Sequence, residues 1–399
     1  MTDLLKIGAA FILIIALLRL RWNFGVVMLL ASAALGALYG LGPLAQLAVT
    51  GRSVVDPVTL NLIGGLVLIM VLENIIRNRG LLKQMTETLS RVARDRRVTM
   101  AILPGVIGIL PSAGGAAFSA PLVQEAAGDL DISPERRAFV NYWFRHIWEY
   151  VCPLYPGIIL TAAVTALPLN RVMLSQLPLA AAVVIVGALF CFRGVERGAL
   201  HDERRSDDLK DLAISVLPIL ASLVLVAVFK LNLSLAMALI VAALFLIYRY
   251  RLPETATAVR QSVSLNVILM VCGIMVFKGM LDASGAIEAL PRFFQQSGLP
   301  PMAVFFALPF LVGLLTGLTV AFVGSTFPII VAMTGGRPEP SVIAFAFASG
   351  FAGVMLSPTH LCYLLTVRYF NADLAATYRL LYVPVLLVFL AGLGMLLVS

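Results

Sequence analysis

The sequence predicts an all-α polytopic membrane protein made of two inverted-topology repeats of five transmembrane helices, each repeat carrying a re-entrant hairpin and a broken helix. Three observations lead there. Apolar runs of membrane length recur from end to end, matching residues recur at a fixed offset between the two halves, and the stretches richest in Gly, Pro, Ser and Thr interrupt otherwise apolar sequence. Of the 399 residues 60% are hydrophobic and only 13% charged, against about 25% charged in soluble domains. That composition excludes a soluble globular chain.

Apolar runs with flanking charges predict ten spans near 4–18, 24–47, 58–76, 138–167, 173–192, 212–229, 232–249, 263–282, 342–367 and 378–398. Each approaches the roughly 17–25 residues a helix needs to cross the hydrocarbon. The first run is followed by Arg19 and Arg21, with no small-residue cleavage site, and reads as a retained span.

The repeat is visible in residue positions. Gly80 and Gly285, Pro104 and Pro309, and Pro153 and Pro358 are each 205 apart, and "IMV" at 69–71 recurs at 274–276 in the same register. "LPGVIGIL" at 103–110 aligns with "LPFLVGLL" at 308–315. Small drifts bring in Asn23 and Met28 against Asn232 and Met237, and Pro178 against Pro384. Matched residues in matched order are the mark of an internal duplication. The predicted organisation is a first repeat at 1–193, a charged cytoplasmic linker at 194–211 and a second repeat at 212–399. Five spans per repeat is an odd number, so the two copies insert with opposite orientation.

Charge supports the same topology. With both termini outside, 21 of the 29 Lys and Arg fall on the cytoplasmic side and seven outside, while Arg145 lies within a span. This bias also accounts for the net charge of +8, so nucleic acid is not an expected partner. The expected location is the cytoplasmic membrane of a prokaryote, with the lipid bilayer as the main partner.

Two stretches are too interrupted for simple spans: 98–128 and 301–335. The first is flanked by "RDRRV" and "DLDISPERR", which the charge count puts on one side, so it must enter and return. Irregular backbone at membrane depth is tolerated only where protein or a water-filled cavity surrounds it. The expected tips are Ser112, Ala113, Gly114, Gly115 and Ser119 in one hairpin, and Thr316, Gly317, Thr319, Gly324, Ser325 and Thr326 in the other. Ser119 with Pro121, and Ser325 with Pro328, read as the cap and first turn of each returning arm. N–H groups at such half-helix ends receive an anion or a polar ligand oxygen.

The spans after the hairpins carry breakers at matched positions, "EYVCPLYPG" at 149–157 and "VMLSPTHLC" at 354–362. A proline removes a donor and frees a carbonyl one turn earlier. Cys152, Pro153, Ser357, Pro358, Thr359 and His360 are therefore the expected coupling-ion or proton residues, with Na⁺ placed near Gly114 and Ser357. Arg145 and Glu149 are four apart, which suits an ion pair on one helix face, and Arg145 is also the candidate anion attractor. His146 and His360 are candidates to carry a proton. Cys152, Cys191, Cys272 and Cys362 fall in apolar stretches without paired spacing, which predicts buried free thiols and neither disulfides nor a metal cluster. Segments 80–97 and 285–298 mix apolar and polar residues and read as helices lying along the membrane interface.

On these features the chain resembles the ion transporter superfamily of gluconate, citrate and dicarboxylate permeases, and within it the uncharacterised ten-span domain-of-unknown-function family 401. The resemblance implies an elevator-type architecture, in which hairpins and broken spans move as a transport domain against a dimeric scaffold. The dicarboxylate carriers of the superfamily have Ser-Asn-Thr at each hairpin tip; "SAGG" and "GST" stand here instead, so their substrate choice does not carry over.

The expected function is secondary active transport of a small organic anion, a carboxylate first of all, coupled to Na⁺ or H⁺ by a homodimer. No other cofactor and no enzymatic activity are expected. A passive channel or a non-transporting receptor is the alternative, and an intramembrane enzyme using Cys152, His146 and Glu149 a more distant one. No GxxxxGK[ST] motif for ATP-driven pumping is present, nor HExxH or GxSxG.

Overall fold

A computed structural model describes residues 2–93, 95–111, 115–195, 207–285 and 300–398. The described residues form 19 α-helices joined by short turns. Five helices are long and apolar enough to cross a membrane: α4 (Pro57–Asn78), α10 (Leu169–Cys191), α11 (Asp208–Leu223, prolonged by a π-helical turn Val224–Val228), α14 (Leu265–Ala283) and α19 (Leu374–Val398). The chain is thus an all-α protein of membrane type.

The remaining helices are shorter and divide the other apolar runs. The predicted span 24–47 is two helices, α2 (Phe24–Leu38) and α3 (Pro43–Val55). The physical reason is a left-handed cap: Gly40 has φ of +76°, and Leu41 N–H donates to Gly36 C=O at 2.9 Å, closing the helix at Leu38. Pro43 then opens α3 in its first turn.

Two pairs of crossing helices hold the amino-terminal parts of the halves together. Following α1 (Thr2–Arg19), α2 packs on α14, and α4 packs on α12 (Leu233–Ile247). In the first pair a Cβ on Gly273 would lie 2.5 Å from the Gly25 carbonyl oxygen, and in the second a Cβ on Gly64 would lie 2.9 Å from Ser234 Oγ. Asn23 caps α2 and also donates to Asn266 Oδ1 at 3.0 Å; Asn232 caps α12, and Ser234 Oγ donates to the Asn61 carbonyl at 2.6 Å. Small residues let these backbones approach, as expected where apolar solvent gives no drive to associate. Beyond α12 the chain forms α13 (Leu252–Ser262), which packs on α4.

The amphipathic segment after Gly80 is helix α5 (Leu81–Val92), whose buried side packs on α11. Arg91 and Asp208 fix it there with a 2.9 Å ion pair in which Asp208 is almost wholly buried. The corresponding segment 285–298 lies outside the described residues except for Gly285.

Both interrupted stretches are helix pairs. The first is α6 (Arg96–Gly108) and α7 (Gly115–Ala127), joined at its outer ends by an Arg96–Asp129 ion pair. The second is α15 (Pro301–Thr316) and α16 (Thr319–Met333), which turn at Gly317 and Leu318. Each pair is followed by an interrupted helix. The first consists of α8 (Pro134–Arg145), a 3₁₀ turn Ile147–Tyr150 and α9 (Pro156–Thr165). The second consists of α17 (Pro340–Met355) and α18 (Leu361–Phe370). Helix α6 packs on α8 as α15 packs on α17. At these contacts a Cβ on Gly108 would lie 2.3 Å from the Arg145 carbonyl oxygen, and one on Gly313 would lie 2.1 Å from that of Gly350.

Candidate functional site

The two breaks and the near ends of both hairpins meet at one buried polar centre. Its first component is Arg145, the last residue of α8, only 2% exposed. The guanidinium donates through Nη1 to Tyr155 Oη at 2.9 Å and through Nη2 to the Leu110 carbonyl at 3.4 Å. Tyr155 Oη in turn donates to the Gly108 carbonyl. The carbonyls that α6 leaves unpaired at its end are thereby satisfied by the first break. Trp148 Nε1 adds a 2.8 Å bond to the Gly105 carbonyl, left free because the Ile109 N–H turns to the Val106 carbonyl at 3.1 Å as α6 ends.

The second component joins the first break to the second hairpin. Thr319 opens α16, and its Oγ1 donates to Glu149 Oε2 at 2.7 Å. The preceding Gly317 has φ of +65°, and a Cβ there would lie 2.8 Å from His360 Cα. Only glycine meets both conditions, which is why the turn can sit against the second break. The freed Gly317 carbonyl lies 2.8 Å from His360 Nδ1.

The third component is a pair of histidines 214 residues apart. His146 Nε2 and His360 Nε2 are 3.1 Å from each other, and His146 Nδ1 lies 2.6 Å from the Tyr142 carbonyl. Both rings are buried, at 2% and 9% exposure. Tyr142 packs edge-on against both rings, and its hydroxyl donates to the Met355 carbonyl at 3.1 Å, tying the end of α17 to α8. Glu149 Oε1 lies 3.9 Å from His146 Nε2. Cys362, in the first turn of α18, brings its Sγ within 4.8 Å of a nitrogen of each imidazole.

The guanidinium and both imidazoles are buried, whereas Pro358 and Thr359 at the second break are exposed. The cavity touching His146, lined also by Trp143, Tyr150 and Phe351, has a volume of about 10 Å³, at the lower limit for one water molecule. Two larger cavities border the first break, one of about 460 Å³ lined by Ile109, Trp148 and Cys152 and one of about 480 Å³ lined by Gly105, Ile147 and Trp148; another, of about 540 Å³, is bordered by Asn61, Asn170, Asn232, Lys230 and Lys278.

Several expected site residues take their places here. Arg145, Thr316, Gly317, Thr319, Ser357, Thr359 and His360 border the meeting point. Ser357 Oγ and Thr359 Oγ1 are 2.9 Å apart, and Thr359 Oγ1 also reaches the Leu315 carbonyl at 3.4 Å. Cys152 Sγ lies 4.0 Å from the Ile109 carbonyl at the end of the first hairpin. Pro153 and Pro358 sit in the two breaks, outside any helix. Gly115 is the first residue of α7; Ser112, Ala113 and Gly114 lie outside the described residues.

Other expectations need correction. Ser119 does not cap α7, because the helix begins at Gly115; its Oγ bonds back to the Gly115 and Ala116 carbonyls at 3.4 and 3.3 Å. Ser325 does not cap the second returning arm, which begins at Thr319, and Pro121 and Pro328 lie inside their helices. Ser325 Oγ and Thr326 Oγ1 bond back to Ala321 and Phe322 carbonyls at 2.7 and 2.6 Å, and Gly324 packs against Ile274 and Phe24. A Ser or Thr hydroxyl can satisfy itself on the preceding turn, so its presence near a proline does not mark a helix start. The continuous helix face expected for Arg145 and Glu149 is also interrupted, since α8 ends at Arg145. Cys272 and Cys362 are only partly buried, and no disulfide joins the four cysteines. Three features escaped sequence reading: the His146–His360 contact, the Glu149–Thr319 bond and the Arg91–Asp208 pair. Each joins residues far apart in sequence, with no local signal.

The described residues define an all-helical protein with five membrane-length apolar helices and a buried polar junction where two helix breaks meet. The chain matches the family described as protein of unknown function (DUF401) over residues 4–398, and it belongs to that family. No curated protein matches the chain.

Proposed function

We propose that the protein is a secondary active transporter of a small organic anion, a carboxylate by preference, coupled to Na⁺ or H⁺ and working by elevator-type alternating access. The observation that carries this reading is the convergence of two hairpin ends and two helix breaks on a junction with a buried guanidinium, Arg145. Ionisable groups at such depth are costly and mark ligand pathways. Discontinuous helices meeting between repeats are the usual form of a transporter's binding site.

The repeat hypothesis draws support from paired geometry. Helices α9 and α18 begin at 156 and 361, and α10 and α19 at 169 and 374, each 205 apart. Ala166 and Asn371, which end α9 and α18, share a left-handed backbone at the same offset. The contacts are also reciprocal. The pairs Asn23–Asn266 and Asn61–Ser234 connect the same helices of opposite halves, as do Gly25–Gly273 and Gly64–Ser234. Exchange of partners between halves is what a two-fold relation between them generates.

In this reading Arg145 attracts the anion where the hairpin ends meet the breaks, and the hydroxyls and carbonyls around Ser357 and Thr359 hold the coupling ion. The protein acts as a homodimer in the cytoplasmic membrane, with both termini outside. The test is uptake of a panel of labelled organic acids into proteoliposomes under imposed Na⁺ or H⁺ gradients. Accumulation that collapses with the gradient supports a carrier. Ion currents without saturable uptake support a channel, and neither uptake nor current removes both readings.

A further inference from the structure

We propose that His146, His360 and Cys362 form a binding site for a transition-metal ion of the zinc type, distinct from any coupling ion. The argument starts from the hydrogen bonds of the two rings. Each Nδ1 faces a backbone carbonyl, Tyr142 at 2.6 Å for His146 and Gly317 at 2.8 Å for His360. A carbonyl only accepts, so both Nδ1 atoms carry hydrogen and, in the neutral rings, both Nε2 atoms are bare. These two lone pairs face each other at 3.1 Å. Two acceptors held together on buried rings repel unless a positive species lies between or beside them.

The surroundings select a metal ion as that species. Ring N–H groups anchored on carbonyls are the outer-shell arrangement that orients metal-ligating histidines through the other nitrogen. Two nitrogens about 2.0–2.1 Å from one zinc ion and 3.1 Å from each other subtend roughly 95–100° at the metal, close to a compressed tetrahedral angle. The third donor, Cys362 Sγ, is in the same cluster, and a fourth position lies toward Glu149 Oε1, 3.9 Å from His146 Nε2. Imidazole and thiolate favour zinc-type ions over Na⁺, Mg²⁺ or Ca²⁺, which take oxygen ligands. On binding, the partly buried Cys362 thiol releases its proton to water and the sulfur becomes a ligand as thiolate.

The charges also balance usefully. A divalent ion is offset by the thiolate and the Glu149 carboxylate, and Arg145 then leaves one net positive charge at the junction. Because His146 directly follows α8 and His360 directly precedes α18, the ion would tie the two breaks together.

The test is metal content, which needs no transport assay. Full-length protein is purified in detergent, equilibrated with Zn²⁺, dialysed and analysed by inductively coupled plasma mass spectrometry. About one zinc per chain is expected in the parent, with at least a tenfold loss of affinity in His146→Asn, His360→Asn and Cys362→Ser; His201→Asn serves as the control that leaves binding intact. Cobalt substitution gives a second readout that tolerates partial loss of stability: a thiolate-to-cobalt charge-transfer band that disappears in Cys362→Ser. Failure of the parent to retain metal, retention by the His146→Asn/His360→Asn double variant, or a ¹⁵N-histidine spectrum showing a proton shared by the two Nε2 atoms after zinc loading would each overturn the proposal. Uptake into proteoliposomes is measured separately, so a chain that transports without metal contradicts this site alone, and one that binds metal without transporting contradicts only the transport reading.

Discussion

Between Arg145 and Pro156 the first interrupted helix carries Arg145, His146, Glu149 and Tyr155, whereas between Leu356 and Leu361 the second carries Ser357, Thr359 and His360. The framework around them is nearly the same. A glycine of the preceding helix pair, Gly108 or Gly313, lies against the backbone at each, and the following helices begin 205 residues apart. The side chains are not the same: at the positions of Arg145, Glu149 and Tyr155 the second interrupted helix has Gly350, Val354 and His360. On the proposed repeat, the scaffold is preserved by backbone contacts while the chemistry has diverged. Formal charge is confined to the first break, and serine and threonine hydroxyls to the second.

That contrast gives graded expectations. The largest effect belongs to Arg145→Ala, which removes one of two opposite charges from an enclosed site and strips Tyr155 and Leu110 of a donor. It should cost about 3–5 kcal/mol of stability, read as a large drop in thermal unfolding temperature in detergent, and should abolish uptake. Thr319→Val comes next. Loss of the 2.7 Å bond to the Glu149 carboxylate should cost roughly 1.5–3 kcal/mol, and a milder fall in uptake is expected than for Arg145.

Substitutions at the shared framework should behave as a matched pair. Gly108→Ala and Gly313→Ala each drive a Cβ into a backbone carbonyl, at a cost of about 1–3 kcal/mol from overpacking. Their unfolding temperatures should fall by similar amounts; a large drop for one and none for the other would break the equivalence of the two regions. The smallest effect is expected at Ser357→Ala, which loses a 2.9 Å hydroxyl contact with Thr359 worth about 0.5–1.5 kcal/mol. If Na⁺ is the coupling ion, this variant should need a higher Na⁺ concentration for half-maximal uptake, and an unchanged Na⁺ response would remove Ser357 from the ion site.

Much of this was legible in the sequence, for physical reasons that apply locally. Apolar length marks the helices, and proline and glycine interrupt their hydrogen-bond ladders, so the breaks at Cys152–Tyr155 and Leu356–His360 could be read directly, whereas the turn of the second hairpin lies at Gly317 and Leu318 and not before Ser325. What could not be read is which polar side chain meets which. The hydroxyls of Ser119 and Ser325 resemble caps in sequence, yet each bonds to its own preceding turn. The division of 24–47 was concealed by an apolar run that continues past the Gly40 cap. His146 and His360 have no common motif, because their contact depends on both breaks folding toward each other. Sequence thus marked where the backbone is irregular and underdetermined the chemistry placed there.

The most direct test of the central claim is gradient-driven uptake of labelled organic acids by the parent and by Arg145→Lys, with thermal stability measured on the same preparations. Lysine keeps the charge but cannot reproduce the two-armed contact with Tyr155 and Leu110. The account predicts that the parent accumulates at least one organic anion and is stabilised by it, and that Arg145→Lys stays folded while losing at least tenfold in uptake. An Arg145→Lys protein that transports the same anion as well as the parent, or a parent that neither binds nor accumulates any of them, would contradict it.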